Sequence, residues 1–173
     1  MRHPDDFYET PPWCVEAIVP YLPRGRRGLD PACGDGAILD ELKAHRVCDG
    51  LLGIEIDAGR ATVARNGGHE VILDDALDNV AVWSQAELVV MNPPYKLAFD
   101  FVKRANQEEG MVTFALLRLG FLASRKRSYW LRENTPSVFV LPKRPSFTAN
   151  GKTDHSDYAW MAWGLGEPRV VIL

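Results

Sequence analysis

No stretch of this chain approaches the ~20 consecutive apolar residues that a membrane-spanning helix needs, although 46% of its 173 residues are hydrophobic. A helical span is thereby excluded, while enough apolar material remains for the core of one globular domain over residues 1–173. The opening stretch, MRHPDDFYET, is polar and acidic and has none of the apolar segment of a secretory signal. Cysteine is scarce: Cys14, Cys33 and Cys48 are odd in number and form no C-x-x-C pair. Neither a disulfide framework nor a zinc ribbon is indicated, so reduced thiols in a cytoplasmic protein are expected. His3, His45, His69 and His155 stand singly, so no metal is expected; only His155, in a loop, draws notice. Internal repeats and low-complexity tracts are absent too.

A basic excess is also missing, because the net charge is −3. The sign is nevertheless divided along the chain. Residues 1–91 hold 8 Lys/Arg against 16 Asp/Glu, whereas residues 92–173 hold 12 against 7. The stretches ASRKRSYWLR (123–132) and PKRPSF (142–147) supply local positive surface of the kind a polyanion needs. Taken alone, such a charge run is more often a solvated helix face.

What is present is alternation. Short apolar runs at 28–32, 51–56, 70–74, 87–91, 111–117, 137–141 and 158–164 read as strands. Helical period occupies 12–21, 37–46, 58–66, 97–107 and 123–133. Repeated β-α units predict a doubly wound α/β fold with a mostly parallel seven-stranded sheet and helices on both faces. The segment between the last two strands is rich in Pro, Ser, Thr, Gly and Lys and has no helical period. Those strands are therefore expected to pair antiparallel. Ligands of open α/β sheets bind outside the carboxyl ends of strands, and the unusual motifs all fall at such ends.

The first is LDPACGDGAILDEL (29–42). Gly34 and Gly36 permit a tight turn into a helix N-terminus, where unpaired N–H groups gather. The chain lacks the third glycine of a dinucleotide fingerprint and the G-K-[ST] of a phosphate loop. Asp30 and Asp35 suit a ligand carrying a cationic amine better than a pyrophosphate. About 20 residues on, GIEID places Glu55 where an acid accepts from ribose hydroxyls. Asp57 is the alternative, but it is well placed to cap the next helix. ILDDAL then offers Asp75, or Asp74, to an exocyclic amine.

The fourth motif is LVVMNPPY (88–95). Pro93 and Pro94 cannot extend a sheet, and Asn92 is held extended ahead of them. The result is a stiff corner that presents an amide and a phenol.

Together DPACGDG, GIEID, DDAL and NPPY resemble, in order and spacing, motifs of class I S-adenosylmethionine-dependent methyltransferases, whose fold is Rossmann-like. NPPY, with FYETPPWCVEAI (7–18) similar to an F-x-T-P segment upstream, resembles the DNA adenine-N6 group. The resemblance implies S-adenosylmethionine as cofactor, with Phe7, Thr10 and Pro11 bordering it and Asp30, Gly34 and Gly36 forming its methionine turn. By the same token Glu55 takes the ribose and Asp75 the adenine amine. Residues 28–91 are then mainly the cofactor half and 92–173 mainly the substrate half. Thr10 also reads as a helix cap ahead of a proline.

An adenine amine is a poor nucleophile because its lone pair is delocalised into the ring. Two acceptors aimed at its hydrogens, the Asn92 side-chain oxygen and the Pro93 carbonyl, would localise that lone pair. Pro94 stiffens the corner, and Tyr95 supplies a face for an extruded base. Phe147, beside Lys143 and Arg144, is a second aromatic candidate; Tyr158, Trp160 and Trp163 read as core. Similar motifs occur in enzymes that modify a protein glutamine amide or an RNA base amine, and a non-catalytic cofactor-binding recognition subunit is a third possibility. The aromatic-bearing basic loop, the F-x-T-P-like segment and the lack of an N-terminal helical domain favour adenine in DNA. The chain has no room for the target-recognition region of restriction-type relatives, so strong site specificity is not expected.

Overall fold

The computed structural model describes residues 8–147 and 156–173, so Phe7 and His155 lie outside it. Strands β1 (Arg26–Asp30), β2 (Cys48–Glu55), β3 (Glu70–Leu73), β4 (Leu88–Met91), β5 (Val112–Arg118), β6 (Ser137–Val140), β7 (Tyr158–Trp163) and β8 (Val170–Ile172) build one sheet. Their order across it is β3-β2-β1-β4-β5-β7-β6-β8. β1 to β5 are mutually parallel, while β7 runs antiparallel to both β5 and β6. The α/β doubly wound architecture and the antiparallel pair match the sequence expectation. The sheet has one strand more than the expected seven: RVVIL at the end adds β8 parallel to β6. A three-residue strand is too short to show a period.

Helices cover both faces. β4 shows why, since Leu88 and Val90 join one apolar layer, Val89 and Met91 the other, and all four are fully buried. Alternate residues of a strand point to opposite sides, so a strand apolar at every position must be roofed twice. Cys14 and Val15 of α1 (Pro12–Glu16) and Ile38 and Leu42 of α2 (Ala37–Ala44) close the first side. Ala61 and Ala64 of α3 (Ala58–Asn66) pack beside Leu39 of α2. The second side is closed by Trp83 of α4 (Val80–Trp83), Phe101 and Val102 of α5 (Ala98–Ala105) and Leu131 of α6 (Ser128–Glu133).

Two helical expectations shorten or shift, each for a local reason, and one helix is additional. The helix expected over 12–21 stops at Glu16 and resumes as a 3-10 turn at Val19–Tyr21. Pro20 has no N–H for the Glu16 carbonyl and would clash with it. The helix expected from 123 begins only at Ser128, because the Arg127 guanidinium ties back to the Phe121 carbonyl at 2.8 Å. The single turn α4 was not foreseen; four residues are too few for a periodic signal.

The carboxyl ends of β1, β2, β3, β4, β5 and β6 emerge along one edge of the sheet, and Tyr158, opposite Arg118, starts β7 there. Behind that edge β2 and the glycine loop are in tight contact. A Cβ on Gly53 would lie 2.7 Å from Cys33 Sγ and 2.9 Å from Leu39 Cδ1. Gly53→Ala is therefore expected to cost roughly 1–3 kcal/mol of stability by overpacking. The urea midpoint measures the loss, and a second change, Cys33→Ala, should recover part of it.

Candidate active site

The glycine loop leaves β1 at Asp30 and enters α2 at Ala37. Gly34 (φ 55°) and Gly36 (φ 100°) both occupy the left-handed region, which side chains rarely enter. Two bonds hold the loop against β2 and one closes it on itself. Cys33 N–H donates to the Ile54 carbonyl at 2.9 Å, Gly36 N–H to the Cys33 carbonyl at 2.9 Å, and Gly34 N–H to Glu55 Oε2 at 2.8 Å. Gly36, expected to make room for a ligand, instead makes room for the protein. A Cβ there would meet His69 at 3.1 Å, and the His69 ring bonds Asp40 at 2.8 Å. His45 is likewise not solitary, since its ring lies with the carboxylates of Glu16 and Glu41 in an exposed acidic group on α1 and α2.

The acids separate by what they already hold. Glu55 is buried, accepting from Gly34 through Oε2 and from Asp57 N–H through Oε1, both at 2.8 Å. Asp57 caps α3 by accepting from Arg60 N–H at 2.9 Å. Asp74 commits both oxygens, to Asp75 N–H at 2.9 Å and to the Asn79 amide at 2.8 Å. Asp75 accepts from Leu77 N–H at 2.9 Å through Oδ1 alone. Asp30 is fully enclosed and accepts from Ala32 N–H at 3.1 Å. Burial pushes its carboxyl up to about 8; the Ala32 bond opposes that and the neighbouring Glu55 charge adds to it. Burial also raises the three thiols, Cys14 to about 12 and Cys48 to about 11, so none is a thiolate near neutrality.

Glu55, Asp75, Asn92 and Pro94 line one cleft of about 600 Å³, open mouth included. Sequence reading missed its apolar walls: Ile56, Leu97, Phe101 and Ala76. Ile56 is 68% exposed and Leu97 43%. The sequence offers as a signal only that an Ile follows directly on the acid that ends β2. Two apolar plates beside acids form a slot for a flat, polar-edged ligand.

The NPPY corner follows β4 directly. Asn92 Nδ2 donates to the Tyr8 carbonyl and to Thr10 Oγ1, each at 3.0 Å. A carbonyl oxygen only accepts, so this partner decides which end of the Asn92 amide faces the N-terminal segment. The side-chain oxygen is the end not used by that segment, and Asn92 lines the cleft. Leu97 N–H takes the Pro94 carbonyl at 2.9 Å, and among the described residues nothing donates to the Pro93 carbonyl. Thr10, expected beside a cofactor, is buried with its hydroxyl spent on Asn92, and Pro11 caps α1.

Beyond the corner, the Tyr95 ring stacks on Tyr8 at 5.4 Å and 27°. Tyr8 in turn meets the edge of Phe147 at 5.7 Å, and Phe147 meets Tyr158 at 5.1 Å. Phe147 is thus gathered to the corner, but its basic neighbours are not. Lys143 sits over the Trp13 ring at 4.7 Å, and Arg144 is paired with Asp157 at 2.7 Å. The cation at the corner is Arg118, which the sequence reading passed over. Its guanidinium lies 4.8 Å from the Tyr95 centroid and donates to the Tyr158 hydroxyl at 2.9 Å. Tyr158, Trp160 and Trp163 are buried, as a core reading expects.

No family model and no curated protein matches the chain in sequence. Solved structures match its fold. A Listeria monocytogenes protein described as a class I S-adenosylmethionine-dependent methyltransferase has TM-score 0.64 at 14% identity, over 94% of this chain and 62% of its own. A dimethyladenosine transferase from Plasmodium falciparum has TM-score 0.68 at 12% identity, over 91% of this chain and 62% of its own. The B. subtilis M1A22 tRNA methyltransferase TrmK has TM-score 0.58 at 13% identity, over 87% and 64%. The fold is that of the class I S-adenosylmethionine-dependent methyltransferases. The chain spans less than two thirds of each of these three neighbours.

Asp30 makes the site pH-sensitive. Its carboxyl is raised from 3.8 to about 8 on folding, so the folded state binds more protons than the unfolded state between those values. Its contribution to stability is therefore present at acid pH and lost as pH rises through about 8. Carbon-detected NMR of the Asp30 carboxyl should show a midpoint near 8 in the free protein. In Asp30→Asn, unfolding stability should fall less between pH 5 and pH 8 than in the wild type.

Proposed function

We propose that this protein transfers a methyl group from S-adenosylmethionine to the N6 amine of adenine in DNA. The observation that carries the proposal is one shared cleft, in which Asn92 and Pro94 of the corner face Glu55 and Asp75 at the ends of β2 and β3. The cleft fits the cofactor chemically. Glu55 retains acceptor capacity for ribose hydroxyls, the second oxygen of Asp75 can take an amine hydrogen, and Ile56 and Leu97 flank the space for a purine. Asp30, at the root of the glycine loop, is enclosed and lines no part of this cleft; a cationic methionine amine brought beside it would favour its ionised form. When bound, S-adenosylmethionine supplies an electrophilic methyl on a sulfonium.

The rest belongs to the chain. The Asn92 oxygen accepts one amine hydrogen and the Pro93 carbonyl the other, which holds the nitrogen lone pair out of the adenine ring. Neither acceptor needs to reorganise, because two prolines and the N-terminal segment hold the corner. The rings of Tyr8, Tyr95 and Phe147 gather an aromatic surface at the corner. A base stacked there recovers ~1–3 kcal/mol, against the few kcal/mol that extrusion costs. Residues 28–91 serve mainly the cofactor and residues 92–173 mainly the substrate. Arg118 and the cations of 123–132 and 142–147 give the substrate half positive surface suited to a polyanion.

RNA is the second reading, favoured by the fold shared with a tRNA methyltransferase. A glutamine amide also presents a conjugated NH₂ to such a corner. Tritiated S-adenosylmethionine, offered with unmethylated DNA, RNA and protein in parallel, should yield labelled N6-methyladenine in the DNA. Label confined to RNA or protein would replace the proposal with the corresponding reading. Asn92→Ala is expected to lower kcat at least ~100-fold, the scale of one lost preorganised polar group. Cofactor affinity by calorimetry should change little, and joint loss of both would make the corner structural.

A further inference from the structure

Asn92 is held from a part of the chain remote in sequence, 84 residues away at Tyr8 and 82 at Thr10. An asparagine amide has two ends of nearly the same shape and opposite hydrogen-bonding character. If it were free to turn over, half of its orientations would present NH₂ to a substrate NH₂ and repel it. In this fold both amide hydrogens are taken, one by the Tyr8 carbonyl and one by Thr10 Oγ1, each at 3.0 Å. The strap that carries these acceptors is itself fastened at both ends. Upstream, the Tyr8 ring is stacked on Tyr95 and edged by Phe147. Downstream, α1 is tied to the sheet by Trp160 Nε1, which donates to the Cys14 carbonyl at 2.8 Å.

We infer that the Tyr8–Thr10 strap is the positioning element of the catalytic amide, and that Thr10 orients Asn92 rather than binding a ligand. The inference rests on the role proposed for Asn92, but its geometry does not. The strap fixes the amide so that only its oxygen is offered to the cleft, and the Tyr8 ring registers the strap on the ring that adjoins the substrate. Thr10 is therefore a positioning residue, felt in the turnover of bound substrate and not in the capture of cofactor.

The test uses Thr10→Val, which keeps the shape and removes the acceptor, and Thr10→Ser, which keeps the acceptor. Thr10→Ala takes the place of Thr10→Val should the latter fail to fold. In the free protein, the Asn92 side-chain NH₂ signals, assigned by their loss in Asn92→Asp, should exchange with solvent about tenfold faster in Thr10→Val. At saturating cofactor, kcat should fall about ten- to a hundredfold, as the loss of one buried hydrogen bond implies. Cofactor affinity should stay within about threefold, and Thr10→Ser should restore both exchange protection and kcat. Unchanged exchange in Thr10→Val would overturn the inference, as would loss of cofactor affinity with kcat intact, or a Thr10→Ser variant as impaired as Thr10→Val. Because exchange is read without substrate, a failure of the methylation reading leaves this measurement standing and is told apart from a failure of the strap.

Discussion

The Glu55 carboxylate is the joint on which the candidate site depends. It ends β2, is buried, and accepts at 2.8 Å from Gly34 N–H on one side and Asp57 N–H on the other. A carboxylate removed from water is costly unless charge-assisted bonds replace its hydration. Here two backbone amides do so, and in return the glycine loop and the start of α3 are held at fixed distance. The left-handed turn at Gly34 and the enclosure of Asp30 behind it follow from that anchoring. Each oxygen keeps a further lone pair, so the same group that braces the loops can also face a ligand.

The other half of the cleft is held by a different principle. β4 is buried on both faces and stops at two prolines that no neighbouring strand can pair with. The polar groups freed there are disposed of one by one. The Pro94 carbonyl closes the turn to Leu97, the Asn92 NH₂ reaches the N-terminal strap, and the Asn92 oxygen remains. The corner is rigid because nearly every alternative use of its polar atoms has been taken.

Charge follows the same division. The acidic half of the chain supplies β1 to β4, and the basic half supplies β5 to β8 and every ring of the aromatic cluster but Tyr8. The two cations expected beside Phe147 have other partners in this structure, for an electrostatic reason. Arg144 has Asp157 within salt-bridge distance and Lys143 has the Trp13 face, so both are engaged at home. Arg118, at the end of a buried strand, has Tyr95 and Tyr158 instead.

From the sequence alone came the α/β alternation, the parallel-to-antiparallel change and the four strand-end motifs, because apolar period and Gly, Pro and acid placement are local properties. The preference for Glu55 over Asp57 also had a local basis, in the capping geometry available to Asp57. Only tertiary structure decided that Gly36 faces His69, that Ile56 and Leu97 wall the cleft, that Arg118 lies over Tyr95, and that Thr10 holds Asn92. Each of these joins residues far apart in the chain, and no residue spacing encodes a contact across 82 positions. Motif spacing could place an amide at the edge of the sheet; which end of that amide faces outward was settled by a carbonyl at Tyr8.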